Sequence, residues 1–84
     1  MTKLEFLKEA LEGRDEEVMN YQINIDNFER GIKKINDEYP DNEDLRKFKT
    51  NLIQLLDDNK RQQLRSIIIR DVIREQINEL ENHK

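Results

Sequence analysis

Lys60, Arg61, Arg65, Arg70 and Arg74 are the side chains of this chain best suited to chemistry, and that chemistry is the binding of anions. Arg61 and Arg65 stand four residues apart, as do Arg70 and Arg74, so on a helix each pair stacks on one face. Such a basic strip, interrupted only by Asp71, is able to hold phosphates of a nucleic acid or nucleotide, or an acidic partner. A second reading keeps the charges inside the molecule. An acidic run, Glu9, Glu12, Asp15, Glu16 and Glu17, lies where an antiparallel arm would face the strip. Ion pairs between arms would then set register and orientation, as flanking charges do in coiled coils. We favour this second reading, because the acidic complement is already in the chain.

Catalytic groups are sparse. The sole histidine, His83, is next to last in the sequence, where helices fray, so no histidine base or histidine metal pair is expected. Asp57-Asp58-Asn59 opens like a calcium loop but lacks the alternating ligands, the central Gly and the distal Glu. Glu16-Glu17 and Asp37-Glu38 read as solvated helix residues. With no cysteine there is no disulfide, thiolate metal site or thiol nucleophile. Neither a phosphate-cradling Gly-rich loop nor a serine with triad partners is present. The expectation is a protein that is not an enzyme and carries no metal or cofactor.

The elements that would position these residues are written in the apolar spacing. Leu4, Leu7, Leu11, Val18, Tyr21, Ile25, Phe28, Ile32, Ile35 and Tyr39 fall on alternating steps of three and four, with only Arg14 breaking the ladder. A 3.5-residue repeat of that length predicts a helix with a narrow seam for another helix. Thr2 followed by Glu5 fits a capping box and starts the helix at Lys3. Gly13 could end a short first helix, but the repeat keeps its phase across it, which favours continuity. Tyr21 to Asp26 alternates like a strand over six residues, and the longer helical pattern outweighs it. Gly31 costs about 1 kcal/mol in a helix interior relative to Ala, which close approach of a neighbour would offset.

Tyr39-Pro40-Asp41-Asn42 is the one strong turn, since Pro40 disfavours helical geometry at Tyr39 and Asp41 or Asn42 can cap a new helix. The second arm carries Leu45, Phe48, Leu52, Leu55, Leu56, Ile67, Ile73, Ile77 and Leu80, and passes through Asp57–Gln63 with no Gly or Pro to stop it. Folding at Pro40 pairs Tyr39 with Leu45, Ile35 with Phe48, Ile32 with Leu52, Phe28 with Leu55, Leu11 with Ile73, Leu7 with Ile77 and Leu4 with Leu80. That mirrored match predicts an all-α fold, an antiparallel helical hairpin of two long helices that associates into a helical bundle. The whole chain, 1–84, is read as one domain, with arm one over about 3–39, a turn at 40–42 and arm two over about 43–82.

Two polar features sit on the expected seam. Arg14 would lie near Arg70 and Asp71, either pairing with Asp71 or reaching outward along a packed stem. Asn59, Gln62, Gln63 and Ser66 would face Val18, Tyr21 and Ile25 as a register-fixing polar layer, in preference to a pocket in which Tyr21 recognises a ligand.

Composition bounds the rest. Charged residues make up 40% of the 84 and hydrophobic ones 35%, which with helical periodicity indicates long helices rather than disorder. A net charge of −4 disfavours nucleic-acid affinity over the whole surface. The N-terminal stretch is charged where a secretory leader would be apolar, and Ile67-Ile68-Ile69 is far too short to span a membrane, so a soluble, cytoplasmic protein with no membrane partner is expected.

The second arm holds more apolar residues than one seam can use. Ile53, Leu56, Leu64, Ile67, Ile68, Ile69 and Val72 are the candidate partner or oligomer interface, because three consecutive isoleucines are spread over about 200° of the helix and at least one faces away from the seam. They could cover a folded-back helix over residues 3–12 in a monomer. We favour a homo-oligomer, a dimer first, since chains this small commonly gain stability by association.

The expected shape resembles the small plasmid-encoded helical hairpins that dimerise and bind paired RNA loops, a likeness of architecture in which no motif carries over. Small size and abundant Asn, Lys and Ile also resemble accessory proteins of phages and mobile elements. The functional expectation is a helical protein-protein interaction module acting on a larger protein as inhibitor, adaptor or assembly factor. The alternative is a dimeric hairpin that binds nucleic acid or a nucleotide through Lys60, Arg61, Arg65, Arg70 and Arg74.

Overall fold

The computed structural model describes residues 1–82, which leaves His83 outside the described residues. Thr2 starts the first helix: its hydroxyl accepts from the Glu5 N–H at 3.2 Å and meets one of the donors that a helix start leaves open. Helix α1 then runs unbroken over Lys3–Glu38. Gly13, Gly31 and the alternating segment around Ile23 are all within it, and no described residue has a positive φ. The continuity removes the folded-back segment over residues 3–12, because no turn separates those residues from the rest of α1.

Tyr39 leaves helical geometry at φ −134° and ψ 48°, although its N–H still donates to the Ile35 carbonyl at 2.9 Å. Pro40 accounts for the stop. Asn42 restarts the helix, its side-chain oxygen accepting from the Leu45 N–H at 3.3 Å. One 3-10 turn, Glu43–Leu45, leads into helix α2, Arg46–Asn82, which passes through Asp57–Gln63 without interruption.

The two helices lie antiparallel as a rod with extents of 63 × 18 × 14 Å. The fold is therefore an all-α helical hairpin. Polar contacts between the arms mark the register: Asn24 with Asn59 and Glu17 with Ser66 each sit about equally far from the turn. Every apolar rung of the first ladder from Leu4 to Ile35 is at least partly buried, and Arg14 shares that seam.

In α2 the buried residues are Leu52, Ser66, Ile73 and Ile77. Steps of three and four from Leu52 trace a seam of Leu45, Lys49, Leu52, Leu56, Asn59, Gln63, Ser66, Arg70, Ile73, Ile77 and Leu80, none of them fully exposed. This corrects two expected pairings. Phe48 and Leu55 stay 48% and 44% exposed, while Lys49 and Leu56 turn inward. The reason is geometric: Phe48 and Leu55 lie one residue out of phase with the repeat through Leu52, on the helix flank. Lys49 can occupy a seam position because its aliphatic stem packs while its ammonium reaches water.

Gly31 faces the other helix, where a Cβ would come up against Leu52 Cδ1 at 3.4 Å, the near edge of van der Waals contact. The core is thin. Among the described residues, Ile25, Leu52, Ile73 and Ile77 are the buried hydrophobic ones, and no large side chain is completely enclosed. Each such burial contributes about 1.5–3 kcal/mol.

Candidate interaction surface

With seam positions labelled a and d, the flanking positions e and g divide the rod into two long sides. In an antiparallel pair e faces e and g faces g. On the e side, Lys8 meets Glu81 at 3.2 Å, Lys60 meets Glu29 at 3.4 Å and Arg74 meets Asp15 at 3.5 Å. All these groups are about half exposed, so each pair contributes at most about 1 kcal/mol and acts mainly on alignment. The g side carries Gly31, Asn24, Glu17 and Ala10 on α1 against Phe48, Leu55, Gln62, Ile69 and Gln76 on α2. Among the described residues it has no ion pair of flanking residues between the arms.

The five basic residues do not form one strip. By heptad position they spread around α2, and four of them are engaged by acids. Lys60 holds Glu29, Arg61 holds Asp57 of its own helix at 2.7 Å, and Arg74 holds Asp15. Arg70 occupies a seam position with its side chain 22% exposed, and its Nε lies 3.3 Å from Asp71 and 3.9 Å from Asp15. Arg65 alone of the five has no acid within 4 Å among the described residues. Of the acidic run, Asp15 meets the strip, while Glu17 is engaged elsewhere.

Glu17 is the centre of a polar waist. Its Oε2 accepts from Ser66 Oγ at 2.7 Å and from Arg14 Nη1 at 3.0 Å. Arg14 therefore pairs with Glu17 in its own helix and not with Asp71, which takes the Arg70 Nε. A side chain three residues away on the same helix is within reach at every instant, whereas Asp71 sits at a b position turned away from the seam. One turn along, the Gln63 amide donates to Gln22 Oε1 at 2.8 Å and to the Val18 carbonyl at 3.3 Å, and Asn24 donates to Asn59 at 3.3 Å. Gln62 is exposed and stands outside this layer. The side chains saturate one another, and no buried polar side-chain atom lacks a partner among the described residues.

The seven candidate interface residues separate by face. Leu56 belongs to the seam, and Ile67 is partly covered beside it. Ile53 and Leu64 remain exposed on the e side, Ile68 on the back, and Ile69 and Val72 on the g side. Phe6 and Met19 on α1 are more exposed than most of these. Phe48 and Leu55 also belong to this surface, although the apolar spacing by residue type alone places them on the seam. A strict repeat counted from Leu52 is the signal that finds Phe48 and Leu55.

At the turn, Ile35, Tyr39, Pro40, Leu45 and Lys49 line an open concavity with largely polar walls. Among the described residues no three acidic or histidine side chains converge as a metal ion requires, and no helix is long and apolar enough to cross a membrane. Comparison of the chain with protein-family models, with curated proteins and with solved structures finds no match.

Proposed function

We propose that this chain is a non-enzymatic helical interaction module that works as a homodimer and presents a helix face to a larger protein. Its role would be that of an inhibitor, adaptor or assembly factor of the kind that phages and mobile elements use. One observation carries the reading: among the described residues four hydrophobic ones are buried, whereas Leu64, Ile68, Met19, Ile23, Ile53 and several others lie open on the helix surfaces. Exposed apolar anchors with charged rims are what a helix offers to a groove in another protein. The engagement of four of the five basic residues by acids of the same chain weighs against phosphate binding.

Affinity capture from the source cell with the wild-type chain and with Leu64→Lys/Ile68→Lys tests the proposal. A protein retained by the wild type and lost with the variant is the expected result. Identical captured proteins from both overturn this face. The nucleic-acid reading replaces it if duplex or single-stranded probes bind at micromolar concentration or tighter, with affinity falling steeply as salt rises.

A further inference from the structure

We propose that a second copy of this chain covers the g side of the hairpin, with Phe6, Phe48, Leu55, Ile69 and Val72 at the interface, and that the e side stays free. The inference rests on the homodimer reading and deepens it by naming the face. The first argument is area. A compact monomer of 10.2 kDa exposes about 5,300 Å², whereas this hairpin exposes 6626 Å². The excess, about 1,300 Å² per chain, falls within the range that permanent homodimers bury on each partner.

Charge selects the side. The e side is crossed by the ion pairs Lys8–Glu81, Asp15–Arg74 and Glu29–Lys60, which a partner would have to strip of water. It also holds most of the chain's excess negative charge, so two like copies would repel there. On the g side charged residues are much sparser and nearly cancel. The five apolar side chains there are between 42% and 59% exposed.

Gly13 supplies an independent observation. It lies at a c position bordering the g side, and a Cβ built on it meets nothing within 4 Å. Gly31 at least faces Leu52, but nothing within the hairpin lies against Gly13. With Ala10 one turn away, it puts two small exposed residues on the same flank of α1 as Phe6. A second hairpin seated there would approach the backbone closely, as side chains of a partner do over glycine.

Sedimentation of the full chain over a concentration series tests the face, with Ile69→Lys/Val72→Lys as the interface variant and Leu64→Lys/Ile68→Lys as the control. The wild type and the control are expected to sediment as dimers, and the interface variant to dissociate about tenfold more readily or more. A dimer unaffected by Ile69→Lys/Val72→Lys but broken by the control overturns the face and leaves the homodimer standing. A wild-type monomer at every concentration overturns both. Should the interface variant lose its helicity, single thiols in the otherwise cysteine-free chain provide the readout. Alkylation of the thiol introduced by Ile69→Cys is expected to slow as the protein is concentrated, while that introduced by Leu64→Cys keeps its rate. Equal rates at both positions overturn the proposal.

Discussion

Gly13 and Gly31 are the same residue in the same helix, yet they bear on different things. Each forgoes about 1 kcal/mol of helix propensity relative to Ala. At Gly31 a Cβ would come up against Leu52 Cδ1 at 3.4 Å, whereas at Gly13 there is open space. Gly13→Ala is therefore expected to raise the stability of the dilute hairpin by about 1 kcal/mol in thermal or urea melts. Gly31→Ala should gain less, because Leu52 Cδ1 has to accommodate the new methyl group. A larger gain at 31 than at 13 would contradict the packing. Ser66 is the second residue with a defined role. It is 3% exposed, and its hydroxyl donates to a carboxylate that also holds Arg14. Ser66→Ala is expected to cost about 1 kcal/mol, a hydrogen bond to a charged group moderated by the partial exposure of Glu17. An unchanged urea midpoint would show that water replaces the hydroxyl without loss.

At the level of the helices, the seam alternates in character along its length. Apolar rungs lie near the turn (Ile25, Ile32, Leu52, Leu56) and near the open end (Leu4, Leu7, Ile73, Ile77). Between them α2 presents Asn59, Gln63, Ser66 and Arg70 in succession. Polar residues on a coiled-coil seam fix register at a cost in stability. Asn59→Leu/Gln63→Leu is thus expected to raise the unfolding free energy by about 2 kcal/mol or more, from apolar burial alone. The same change should broaden the distribution of assembly sizes, since the bonds to Asn24, Gln22 and Val18 no longer penalise slipped pairings. A stabilised variant that keeps one assembly size would assign register to the apolar rungs and the turn. Asn42 belongs to this scale as well. Its side chain caps the turn before α2, so Asn42→Ala should lower stability by about 1 kcal/mol in the same melts.

For the molecule as a whole, shape is the governing property. The radius of gyration is 18.7 Å, against about 12 Å for a compact domain of this length. Pairing side by side along the g flank would thicken the rod while leaving its length near 63 Å. Small-angle scattering should accordingly show a maximum dimension that stays close to one hairpin as mass doubles. A dimension that doubles with mass would mean end-to-end association. The ion pairs of the e side are exposed, and their alignment should weaken with added salt over the Debye scale, with little effect on the apolar contact of the g side. A dimer that tightens steeply with rising salt, as screening relieves the repulsion between like-charged faces, would place its contact on the e side.

Much of this architecture was legible in the order of residues. A long 3.5-residue ladder, a capping Thr2 and a single Pro40 are local signals, and a helix period and a proline act through bonds only a few residues long. They determined two rods and the place where the chain reverses. Tertiary structure decided what depends on angles around the helix and on competition between near-equal partners. Lys49 and Leu56 turn inward while Phe48 and Leu55 stay outside, because one residue of phase rotates a side chain by about 100°. Arg14 takes Glu17 and not Asp71, and the basic residues are distributed among acids of both helices, because exposed ion pairs differ by less than about 1 kcal/mol and geometry chooses among them.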